Sequence, residues 1–169
     1  HLYLQLEQKT YLNLGLASVN TSLHLLKNKD SNWIANAYQI KAQLKHLAGS
    51  LNQAIKDYQK AIKLYPEQDA LKGRYLYHLG EVQYLAGDKK TGLENLKQGL
   101  SMIRNNRHTF DSYTLDAWES GALLSLTRVL KQSQAELAQQ YLQQAKKIIE
   151  NNPELVIRKR QLEALEFKN

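Results

Sequence analysis

The chain has 169 residues, of which 43% are hydrophobic and 23% charged, with two prolines, eight glycines and no cysteine. That balance suits one folded domain or a short repeat array and excludes a disordered tail. Disulfides are ruled out, and no apolar run approaches the roughly 20 residues that cross a bilayer, so no membrane insertion is expected.

The formal net charge of +7 raises nucleic acid as a partner. However, Lys56, Lys60 and Lys63, like Lys89, Lys90 and Lys97, recur at helical spacing opposite apolar residues and read as solvated faces. No aromatic-plus-basic groove motif accompanies the charge, so no specific nucleic-acid binding is expected. The first residue is His1 rather than methionine, which reads as a fragment or a processed form.

In chain order, a first helical segment within 2–28 carries Leu12, Leu16, Val19, Leu23 and Leu26 on one stripe, followed by the polar turn 28–32. Trp33, Ala37, Ile40, Leu44 and Leu47 then step by four, three, four and three, which predicts an amphipathic helix with that stripe inward. Tyr38 and Ala42 offer a competing register, shifted by about one residue. From Gly49 the chain continues through Ala54, Tyr58 and Ala61 to Pro66; from Gly87 it continues through Gly92, Leu96 and Gly99. The offsets of five, nine and twelve agree in the two passages, so this is an internal repeat.

Small residues seven apart, with a large one between them, suit two antiparallel helices whose backbones approach closely. Gly92 and Gly99 would each cost about 0.8–1 kcal/mol against alanine in a free-standing helix. They therefore predict close contact with a neighbouring helix, tolerated drift from alanine being the alternative. Residues 113–131 add Trp118, Ala122, Leu126 and Leu130, with Asp111 and Ser112 as N-cap candidates. Ala138, Leu142 and Ala145 repeat the small-large-small spacing. Asn152-Pro153 then reads as the start of a last helix over about 153–167, with Leu155, Leu162 and Leu165 inward and Arg158, Lys159 and Arg160 outward.

Leu76-x-x-Leu79-Gly80 matches the first half of the W-x-x-L-G-x-x-Y signature, with Gln83 at the last aromatic place and Tyr84 beside it. With the glycine and alanine pattern, it makes the chain resemble the tetratricopeptide repeat family over about 33–66 and 71–104. The 38-residue spacing from Gly49 to Gly87 exceeds the family period of about 34, and the extra residues are expected to lengthen the helix containing Asp69-Ala70-Leu71-Lys72.

The resemblance implies an all-α fold, a right-handed alpha-alpha superhelix of about seven or eight helices in one domain over 1–169. Degenerate flanking pairs would occupy about 2–28 and 113–151, and the last helix would cap the stack. It also implies that the first helix of each pair lines a concave surface that binds a protein or peptide. Arg74, Tyr77, Glu81 and Tyr84 form one stripe there, with Asn36, Gln39, Gln43 and His46 as their first-repeat counterparts. For Tyr77 and Tyr84 the alternative is packing on an adjoining helix.

The five histidines show no metal-ligand spacing, and the glycines follow the repeat rather than a phosphate loop. Neither catalysis, nor a metal, nor a cofactor is expected. A sensor or regulatory domain of a larger protein, binding a signalling peptide or its own neighbour, is the competing functional reading.

Overall fold

The computed structural model describes residues 2–27 and 30–166, with side chains from residue 7 onward. Among the described residues the chain is all-α: α1 (Leu2–Leu25), α2 (Ser31–Leu47), α3 (Leu51–Leu64), α4 (Ala70–Leu85), α5 (Lys89–Asn105), α6 (Ser112–Leu130), α7 (Ala135–Glu150) and α8 (Val156–Glu166). Residues 28 and 29 of the expected polar turn, and residue 167 of the expected last helix, lie outside the described residues.

Helix starts and stops have local causes. Asp30, Asp69, Asp88 and Asp111 each accept a backbone N–H from the first turn of α2, α4, α5 and α6 respectively. Free N–H groups at a helix start need such an acceptor. The Thr114 N–H holds the Asp111 carboxyl below its ordinary range. Gly49 and Gly87, at φ +76° and +105°, end α2 and α4. After each helix the glycine N–H bonds back three residues and the next N–H five residues, to His46 and Lys45 in one case and to Tyr84 and Gln83 in the other. Only glycine enters that left-handed turn without penalty.

The chain divides into two compact units, His1–Glu67 and Gln68–Asn169. In the first, α2 packs on both α1 and α3. Val19 is buried and Leu44 of α2 closes over Gly15 of α1. Ala35, Ala42, Ala54, Tyr58 and Ala61 are fully buried. Lys45 and Asp57 join α2 to α3 by an ion pair of 2.6 Å, and the Lys60 ammonium lies over the Tyr38 ring.

In the second unit α4 and α5 are antiparallel and nearly touch. Gly73 lies beside Gly99, and Gly80 beside Gly92; a Cβ on Gly80 would stand 2.5 Å from the Gly92 carbonyl oxygen and 2.6 Å from the Leu96 nitrogen. The close contact inferred for Gly92 and Gly99 is therefore present. The crossing positions also identify the repeat: Ala35, Ala42, Ala54 and Ala61 become Gly73, Gly80, Gly92 and Gly99 on adding 38 to each number.

α6 is the centre of this unit, packing on α4, α5, α7 and α8 with Leu115, Ala122, Leu123, Leu124, Leu126 and Leu130 buried. At the α6–α7 crossing Ser120, Thr127, Ala138 and Ala145 are again small and buried, and Thr127 Oγ1 reaches the Ala138 carbonyl at 3.4 Å. The irregular segment after α5 is pinned by charge. Arg104 and Arg107 both donate to Glu119, at 2.8 and 2.7 Å, and Arg107 also reaches Asp116. Those carboxylates push the Arg107 guanidinium above its ordinary pKa.

Four expectations need correction. In α2 the alanines, not Trp33, Ile40 and Leu47, face the interior, because the tight crossing with α3 admits only small side chains. α4 is not lengthened: Asp69 caps it and it has 16 residues against 17 in α2. The last helix starts at Val156 rather than Pro153, since residues 151–155 form turns in which the Leu155 N–H bonds to the Asn152 carbonyl. Arg158 turns inward, donating Nε to the Ala117 carbonyl at 2.9 Å, whereas Lys159 and Arg160 are exposed.

Candidate protein-interaction surface

The expected binding stripe on α4 is mostly an internal contact with α6. Tyr77 is 1% exposed, packed in the core beside Gly121 with its hydroxyl free of hydrogen bonds. Glu81 is 5% exposed and accepts from Ser125 Oγ at 3.0 Å and from the Arg128 guanidinium. Arg74 lies over the Trp118 ring, whose edge meets Phe110. Tyr84 is half-buried against the core, with the Lys89 ammonium over its ring. Thus Tyr77 and Glu81 do not present a free surface; packing on an adjoining helix describes both.

Gln83, at the aromatic place of the signature, is buried and accepts from Asn95 Nδ2 of α5 at 2.6 Å. This amide bridge joins the two helices of the pair. Tyr75, also buried, has its phenol pushed up to about 12 by desolvation.

On α2, Gln39 is fully buried with neither amide atom hydrogen-bonded, and it corresponds to Tyr77 in the repeat. Asn36, Gln43 and His46 are half-buried. The free surface lies alongside them. Trp33 (66% exposed), Ile40 (42%) and Leu47 (73%) recur every seven residues on one edge of the helix. Asn36 and Gln43 each follow a member of this row by three residues, so a continuous strip of Trp33, Asn36, Ile40, Gln43 and Leu47 runs along α2.

An ordinary amphipathic helix buries its large apolar residues and exposes its small ones. α2 does the reverse along this edge. The signal that would have found it was present in the sequence, because adding 38 places Ala35 and Ala42 on Gly73 and Gly80 and so turns Trp33 and Ile40 away from the crossing.

Among the described residues no group of three His, Asp or Glu side chains converges to hold a metal, and no helix is long and apolar enough to cross a membrane. No protein-family profile, curated protein or solved structure matches the chain.

Proposed function

We propose that the chain is a tetratricopeptide-like helical-repeat domain that holds a partner protein, and that the exposed edge of α2 is its principal contact. In this reading the helix pairs stack as a right-handed superhelix, and the strip Trp33, Asn36, Ile40, Gln43 and Leu47 faces the partner. Support for the repeat comes from the matched small residues of the two helix pairs and their matched glycine turns.

One observation carries the binding role: three large apolar side chains lie at seven-residue intervals, in solvent, on a helix whose other faces are packed. Contiguous exposed apolar surface costs solubility and marks interaction sites. Tryptophan is among the strongest interface anchors, and its truncation often costs about 2 kcal/mol or more of binding. The amide-bearing Asn36 and Gln43 beside the row can accept and donate hydrogen bonds to a partner's backbone or polar side chains.

The test replaces Trp33, Ile40 and Leu47 together by serine and compares quantitative affinity capture from the source cell extract with the parent chain. The substituted sites face water, so the thermal transition should stay within about 0.5 kcal/mol per site of the parent. The captured partner should fall at least about tenfold, the equivalent of 1.4 kcal/mol. Undiminished capture by a folded variant overturns the assignment, and loss of the helical transition means that the row is packing rather than docking surface.

A further inference from the structure

α1 carries the pattern of the second helix of a pair, but one of its faces is open. Gly15, Val19 and Ser22 repeat the small-large-small spacing of Ala54, Tyr58 and Ala61 in α3, of Gly92, Leu96 and Gly99 in α5, and of Ala138, Leu142 and Ala145 in α7. In α3 and α5 the residues beside that row meet the first helix of the pair. Asp57 of α3 pairs with Lys45 of α2, and Asn95 of α5 bonds to Gln83 of α4. Met102 of α5 lies against Gly73 of α4, its Cβ 2.9 Å from where a Cβ on that glycine would stand. Counted from the small residues, Ser18 of α1 takes the place of Asp57 and Asn95, and Leu25 the place of Met102. Both are exposed, and with Tyr11, Leu14 and Ser22 they share one side of the helix. Its three large apolar side chains are each more than half exposed. α2 covers the adjoining side, where Leu44 closes over Gly15 and Val19 is buried.

The polar groups of the open face are already satisfied. Ser18 Oγ donates to the Leu14 carbonyl at 2.9 Å and Ser22 Oγ to the Ser18 carbonyl at 3.0 Å. Covering them therefore strands no donor. Ser120 and Thr127 of α6 bond back to Asp116 and Leu123 in the same way, and both are buried at the α6–α7 crossing.

A first helix joined through the repeat's own turn does not fit this face. Gly49 and Gly87 stand five residues before Ala54 and Gly92, whereas the equivalent residue, Thr10, lies inside α1, which starts at Leu2. The face is instead complementary to itself. When two copies of α1 are turned antiparallel about Ser18, Leu14 of each meets the small Ser22 of the other, and Tyr11 meets Leu25. Small residues then sit at the centre, where crossing helices are closest, and large ones towards the ends, where they diverge. We propose that two copies of the chain pair through this face of α1, related by a two-fold axis at Ser18. This contact is separate from the α2 edge and does not depend on the role proposed for it.

Sedimentation equilibrium of the full chain should show a reversible monomer–dimer equilibrium. Leu14→Glu should raise the dissociation constant at least tenfold with the circular dichroism spectrum unchanged, and Trp33→Ser should leave the constant as it is. The chain has no cysteine, so Ser18→Cys introduces a single thiol. A two-fold axis at that residue brings the two thiols of a dimer within the roughly 4.4–6.8 Å Cα separation that a disulfide spans. Mild oxidation should link the Ser18→Cys chain into dimers at least tenfold faster than the Asn20→Cys chain, whose exposed thiol lies on another side of α1. A parent chain that is monomeric at every concentration overturns the proposal and leaves the face to another occupant, a helix of a different protein or one joined to this chain. Equal cross-linking from positions 18 and 20 overturns it as well, as does a dimer that survives Leu14→Glu and is lost on Trp33→Ser. If Leu14→Glu unfolds the chain, the two cysteine variants decide the matter.

Discussion

At the scale of single residues, the glycines of the α4–α5 crossing carry more weight than any large side chain. Gly80 has backbone atoms on the side where a Cβ would go, at distances no real Cβ occupies, so the backbones must separate to admit even a methyl group. Gly80→Ala should therefore destabilise the chain by about 1–3 kcal/mol although alanine is the better helix former. Lys97→Ala on the outer face of α5, a change of much larger volume, should stay within about 0.5 kcal/mol. Urea titrations of the two variants decide it, and a stabilised Gly80→Ala chain would mean that the helices do not approach as described. This crossing was legible in the sequence, because matched small residues at seven-residue spacing are a local pattern with one geometric reading. The inward turn of Arg158 was not: it depends on Gly121, 37 positions earlier, leaving room beside a carbonyl that no spacing rule reveals.

At the scale of helices, the α4–α6 contact shows why Tyr77 and Glu81, expected on a free surface, are buried instead. Arg74, Tyr77, Glu81 and Tyr84 are polar enough to read as surface, yet α6 supplies a partner for three of them: Trp118 for Arg74, the space at Gly121 for Tyr77, and Ser125 with Arg128 for Glu81. A periodic pattern shows that residues share a face but not what the face meets. The Glu81–Arg128 pair is asymmetric, the carboxylate buried and the guanidinium partly exposed. Removing the arginine leaves the costly member behind, with only the Ser125 hydroxyl to serve it. Arg128→Ala should destabilise by about 1–3 kcal/mol, discounted from the cost of breaking a fully buried pair because water already screens the arginine. Adding Glu81→Gln should recover part of the loss. A thermal-melt double-mutant cycle without coupling would show that the two groups do not hold α4 to α6.

At the scale of the whole molecule, two compact units share one repeat pattern but leave different surfaces free. The all-α class and the repeat spacing were visible in the alanines and glycines. The free apolar edge was masked because Trp33, Ile40 and Leu47 have the spacing of a buried stripe; the 38-residue match of Ala35 and Ala42 to Gly73 and Gly80, not the stripe itself, is what turns them outward. The net charge of +7 is spread over both units, with the lysines of α3 and α5 in solvent, as expected of a solvated surface. The claim that a partner sits on α2 is tested most directly by site-specific photocrosslinking. A benzophenone amino acid is placed in turn at Trp33, Leu47 and, as a control on α3, Lys56, and each chain is irradiated in source cell extract. The account predicts one shared crosslinked protein from positions 33 and 47 and none from position 56. Crosslinks from 56 alone, or the same products from all three positions, would contradict it.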